Sequence, residues 1–281
     1  MWTIGGVKRK ARKMMSRGYL PMLLVSLILM FTAQDANSAQ RFLNFDKRAL
    51  FTVNGIAFNI IALVGIYFVV QIFIIGPIGV GCWKYYIDLN RDGISKLSNL
   101  KFAFENGRYK NIVKGLFRKD VYLLFWSTIF VASIDIPFYI SEAEIISWDM
   151  AMLLAIIAGI FTGVTLIIKT YAYMLVPMIL VDRPNMENSE VVILSEQLMK
   201  GNKGNVCIFQ LSFIGWILIG SIGSMMLIGN SNSIIINSIK GILVSFFVLP
   251  YIHGATSEIY EKIVEDREPY SRIELEKKEI I

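Results

Sequence analysis

The sequence predicts an all-α integral membrane protein: six transmembrane helices arranged as three hairpins, with amphipathic helices on the cytoplasmic surface. Three observations predict it. Apolar residues make up 55% of the 281-residue chain, against 18% charged, and they gather into blocks near the roughly 18 residues that span a bilayer. The basic residues fall almost wholly on alternate flanks of those blocks, as cytoplasmic flanks do. A short amphipathic stretch precedes every second block, and a proline follows the next.

The elements follow in order. Residues 1–18 form a basic segment with Val7, Ala11, Met14 and Met15 at i, i+4, i+7 and i+8. That spacing gives a helix one apolar stripe, suited to lying in the headgroup plane. The first crossing covers residues 19–33 and is short. A basic start, an apolar run and small residues in 34–39 also describe a secretory signal peptide, although no clean A-x-A site follows. The second crossing, residues 51–75, exits through Gly76-Pro77-Ile78, where proline removes a backbone donor and kinks or stops a helix. The loop 84–120 carries a second stripe, Tyr109, Ile112, Val113, Leu116 and Phe117, set against Lys110, Lys114 and Arg118.

Crossings three and four, residues 121–140 and 151–168, enclose an outer loop with no basic residue and exit through Val176-Pro177-Met178. The loop 182–205 holds the third stripe: Val191, Leu194, Leu198 and Met199. Crossings five and six, residues 206–228 and 234–252, exit through Leu249-Pro250-Tyr251 into a charged tail, 253–281. The expected unit is a surface helix, two crossings and a proline exit, used three times. Of the 28 basic residues, 24 fall on one side, which places both termini in the cytoplasm.

Between the third surface helix and the fifth crossing the chain reads Lys200-Gly201-Asn202-Lys203-Gly204. Gly201 suits a C′ position, where a left-handed backbone costs glycine nothing, and Lys200 suits the negative end of the helix dipole. Gly204 leaves the chain free to turn into the bilayer. A phosphate cradle is the rival, but no G-x-x-x-x-G-K-[ST] pattern surrounds it. A lipid phosphate held there would act as an anchor.

LSEQLMKGNKG…FQLSFIGW (residues 194–216), IIKTYAYMLVPMILVDRPN (167–185) and PYIHGATSEIYEKI (250–263) together resemble a bacterial family of integral membrane proteins. The family is common in Firmicutes and catalogued as a domain of unknown function. The resemblance implies a multi-pass protein of the bacterial cytoplasmic membrane and brings no activity with it. Where that family has a Pro-Gly pair before Ile-Ile-Lys, this chain has Thr165-Leu166, which removes the basis for a kink there.

Chemistry is sparse. Ionisable groups within a bilayer cost about 2.5–3.5 kcal/mol each and are functional candidates by default. Asp135, late in crossing three, and Lys240, early in crossing six, fall at similar depth and could pair. Pro137 and lysine snorkelling offer the plainer account, in which both helices end nearby. Lys169, followed by Tyr171 and Tyr173, reads as an interfacial anchor. Gln71 and Gln210 are among the intramembrane polar groups, which usually bond between helices. The single histidine, His253, and the two cysteines, Cys82 and Cys207, make neither a metal site nor a structural disulfide. There is no H-E-x-x-H, no G-x-S-x-G and no second intramembrane aspartate to make a dyad with Asp135, so no catalytic residue, cofactor or metal is expected. The expected partners are the bilayer, with anionic lipid on its inner face at about 1 kcal/mol per basic residue, and a membrane protein; nucleic acid is not expected. The sequence leaves oligomeric state open. Two functions remain: a non-enzymatic scaffold or accessory subunit and, alternatively, a small-solute or peptide transporter.

Overall fold

A computed structural model of the protein describes residues 2–32, 69–215 and 248–267, and every regular element among them is helical. Helix α1 (Ile4–Thr32) breaks once, at Gly18, whose φ of −175° and ψ of 71° are extended. Pro21, three residues on, has no N–H to return to the carbonyl of Arg17, so the helix restarts in a new direction. A π-helical turn (Gln71–Ile75) then runs directly into α2 (Gly76–Asp92). Pro77 lies in the first turn of α2, and its missing N–H would orphan the Phe73 carbonyl. The Tyr109 hydroxyl donates to that oxygen at 2.8 Å.

A 3₁₀ segment (Leu97–Phe104) folds back against α2. The approach requires Gly81, because a Cβ there would lie 2.3 Å from the Leu100 carbonyl oxygen. Helix α3 (Tyr109–Glu142) and α4 (Trp148–Tyr173) form an antiparallel hairpin, with Ser147 capping α4 by accepting from the Met150 amide. Small residues let the two approach: Gly159 faces Ile134, Gly163 faces Phe130, and Ser133 and Thr162 hydroxyls bond at 2.8 Å. Helix α4 runs unbroken past Thr165-Leu166. After a turn at Met174-Leu175 come α5 (Val176–Asp182), α6 (Asn188–Met199) and α7 (Lys203–Leu211). Residues 248–267 form a last helix, α8.

Four helical stretches are long and apolar enough to cross a membrane: Ile4–Met30, Gln71–Asp92, Tyr109–Glu142 and Trp148–Asp182. The expected second, fifth and sixth crossings lie largely outside the described residues, so of the three expected hairpins only α3–α4 is described in full.

Two expectations change. The prolines lie inside helices and do not terminate them: Pro77 and Pro177 occupy first turns, and Pro250 lies within α8. Pro177 follows the turn at Met174-Leu175, where a first-turn amide has no helical partner, whereas at Pro77 the Phe73 carbonyl takes the Tyr109 hydroxyl instead. The amphipathic stripes also face protein. Val7, Ala11 and Met14, then Ile112, Val113 and Leu116, then Val191, Leu198 and Met199 are all buried. They pack against the segments that follow the three prolines, where Val80, Tyr86 and Ile87, Met178 to Val181, and Ala255, Ile259 and Ile263 supply the core. The second stripe is not a separate surface helix. It continues into crossing three as α3, because 116–121 contains no glycine or proline to interrupt it.

Candidate functional site

The polar groups that the sequence scatters along the chain meet in two places. The first is a clasp at the ends of the three post-proline segments. Arg91, on the last turn of α2, donates to both carboxylate oxygens of Asp182 at 2.9 and 2.8 Å and to Glu261 of α8 at 2.9 Å. Tyr260 donates to Asp182 at 2.7 Å, and Asn90 to Glu258 at 3.0 Å. The planar guanidinium presents several donors in a fixed fork, which is why one arginine can hold two carboxylates. Burial raises the Glu261 carboxyl above the usual carboxylate range, with the Arg91 hydrogen bond opposing it. Burial and the adjacent Asp182 charge push the Tyr260 hydroxyl far up, so it stays a donor.

The second is a cavity of about 550 Å³, within the size range of small-molecule sites. Its walls come from Leu29, Gln71, Asp120 with Lys119, Tyr171, Gln210 and His253, among others. Each belongs to, or lies within three residues of, a different one of the six crossings expected from the sequence. Most of the wall is aliphatic or aromatic. Gln71 is the exception that stands out: it is 4% exposed, and its Oε1 meets no donor among the described residues. Asp120 Oδ1 is also enclosed. Lys119 Nζ lies 3.0 Å from it, close enough for charge pairing but not aligned as a hydrogen bond. Tyr171 donates to Gln210 at 2.7 Å across the wall.

His253, which lines the cavity, ends a buried relay through three helices. Tyr86 donates its single proton to the Met22 carbonyl at 2.8 Å, so Ser26 donates to Tyr86 and accepts from His253 Nδ1 at 3.0 Å. The relay fixes His253 as the Nδ1-protonated tautomer. Sequence reasoning set His253 aside as isolated. Its partners, 227 and 167 positions away in sequence, carry no local signal.

The residues singled out from the sequence divide between these places and others. Lys169 donates to Glu196 of α6 at 2.8 Å and sits over the Trp126 ring at 5.5 Å, beside Tyr173. It joins α4 to α6 as well as marking a helix end. Tyr173 is buried, and Ser195 donates to the neighbouring Ala172 carbonyl at 2.7 Å. Gly201 has a φ of +84°, the left-handed conformation of a glycine C′ residue. The turn around it is tied on both sides: Trp2 donates to Asn202 at 3.2 Å, and Arg267 donates to the Lys200 carbonyl. Lys203 and Gly204 form the first turn of α7, with open space beside Gly204. Asp135 is exposed on α3 with no hydrogen-bond or ion-pair partner among the described residues. Lys240 lies outside them, and so does the pairing of the two.

A model of the family described as "Protein of unknown function (DUF975)" matches residues 6–267. No curated protein and no solved structure matches the chain.

Proposed function

The chain belongs to the DUF975 family, a family of unknown function, and on that premise we propose that it is a multi-pass membrane scaffold or accessory subunit without an enzymatic activity of its own. Its termini face the cytoplasm in this proposal, and its inner body offers a fixed surface to a membrane-protein partner. One observation carries it: Arg91 ties α2, α5 and α8 together through Asp182 and Glu261. Alternating-access carriers move one repeat against another. A cross-tie between all three post-proline segments opposes that movement and favours a rigid platform.

The test is affinity purification of the tagged full-length protein from its native membranes in mild detergent, with mass spectrometry of what accompanies it. A stoichiometric membrane-protein partner that is lost from the Arg91→Met variant supports the accessory role. Recovery of the chain alone overturns it. The cavity favours transport of a small solute or peptide as the second reading, because residues from all six expected crossings reach it. Solute flux into vesicles that is abolished by Gln71→Leu would establish that reading in its place.

A further inference from the structure

We infer that the cavity is a binding site for one membrane phospholipid whose headgroup ends in a primary ammonium. The inference stands apart from the choice between accessory and transport roles. It rests on an unpartnered buried acceptor. Gln71 is more than nine-tenths buried, lines the cavity and leaves its Oε1 without a donor among the described residues. A buried acceptor left unpaired forfeits the hydrogen bond it would make in water, so native structures rarely keep one without an occupant.

The remaining chemistry specifies the occupant. Asp120 Oδ1 is a second enclosed acceptor, carries negative charge and accepts no aligned hydrogen bond among the described residues. Lys119 beside it supplies one positive charge. A pair of acceptors beside a lone ammonium matches a zwitterion: the ligand's ammonium toward Gln71 and Asp120, its phosphate toward Lys119. A wall otherwise built from Leu116, Leu123, Leu166, Ile167 and Ile252 suits acyl chains. These residues also lie at the inner ends of the expected crossings, the depth of inner-leaflet headgroups. A soluble amine would satisfy the acceptors but leave the aliphatic wall facing water, so the lipid is the occupant the cavity fits.

The test uses the full-length protein reconstituted in nanodiscs with equal amounts of phosphatidylethanolamine, phosphatidylcholine and phosphatidylglycerol of matched chains. Lipid retained on release into detergent is counted by native mass spectrometry. The wild type should keep one phosphatidylethanolamine, enriched about tenfold over each competitor, because choline has no N–H to donate and glycerol carries no positive charge. Gln71→Leu and Asp120→Asn should each remove the enrichment, while Lys262→Gln, at a lysine that does not line the cavity, should keep it. Equal retention of ethanolamine and choline lipids overturns the inference, and needs no variant to fold. Enrichment of ethanolamine lipid unchanged in both variants overturns it as well. Free ethanolamine that displaces the retained lipid at equimolar concentration would overturn the lipid as the source and leave a soluble amine as the occupant.

Discussion

The α3–α4 hairpin and the body built around the three prolines are made of the same kinds of residue and end in opposite surroundings. The more apolar helices are the less buried. The most apolar 18-residue stretch of Trp148–Asp182 has a mean hydropathy of 2.6 and that of Tyr109–Glu142 one of 1.7, yet only 11% and 6% of those stretches lie inside the protein. The corresponding stretch of Gln71–Asp92 has a mean hydropathy of 1.2 and is 50% buried. In water this order would be reversed. In a bilayer it follows directly, because lipid tails are as apolar as leucine and give no hydrophobic reason to bring two apolar helices together. What must be packed inside protein is the polar cargo: Ser26, Tyr86 and Asn90 all lie on the less apolar helices, are buried and have partners. Small-residue contacts and one hydroxyl pair are enough to hold the hairpin.

Substitutions can break the contrast on either side. The largest effect is expected at Gly81, where any side chain meets the backbone of Leu100. Gly81→Val should cost about 3 kcal/mol, since backbone and not a movable side chain must give way, read as a lowered Tm in detergent. Arg91→Met comes next. It leaves Asp182 and Glu261 facing each other without a cation. Full burial would make that worth several kcal/mol, but these side chains are 39%, 23% and 24% exposed, so about 2 kcal/mol is expected. Asp182→Asn in the same background should recover part of it, and a double-mutant cycle measures how much. Tyr86→Phe removes one donor from the buried relay and should cost about 1 kcal/mol. Phe161→Leu, at a residue of the hairpin that is 76% exposed, should change Tm hardly at all, within about 0.5 kcal/mol. A Phe161→Leu loss equal to that of Arg91→Met would erase the distinction between the two regions.

Much of this contrast is visible in the sequence, and what escapes it does so for physical reasons. Apolar runs mark the crossings because length and composition alone decide whether a helix can span. The turn at Gly201 is legible because few residues other than glycine take a φ of +84°. The direction of the amphipathic stripes is not legible: Val7, Ala11 and Met14 announce an apolar face, and nothing in their spacing says whether lipid or Ile259 will cover it. Prolines 77, 177 and 250 mark the right junctions, but a proline at a helix start and one at a helix end read alike without the neighbouring carbonyls. The clasp and the cavity are the least legible. Arg91, Asp182 and Glu261 are separated by 91 and 79 positions, and each taken singly is an ordinary charged residue flanking an apolar run. Gln71 and Gln210 were at least conspicuous as amides within apolar runs. Asp120 was hidden among the charges of its flank.

The most direct test of the central claim is spin-label accessibility in nanodiscs, in a background with Cys82 and Cys207 replaced by alanine. Single labels at Leu153 and Phe161 sample the hairpin, and one at Ile193 samples the exposed face of α6. Oxygen, which partitions into lipid, should relax the labels at 153 and 161 strongly and a charged nickel chelate should not, with the preference reversed at 193. Chelate access at 153 and 161 equal to that at 193 would mean that the most apolar helices of the chain are not covered by lipid, and the account would be wrong.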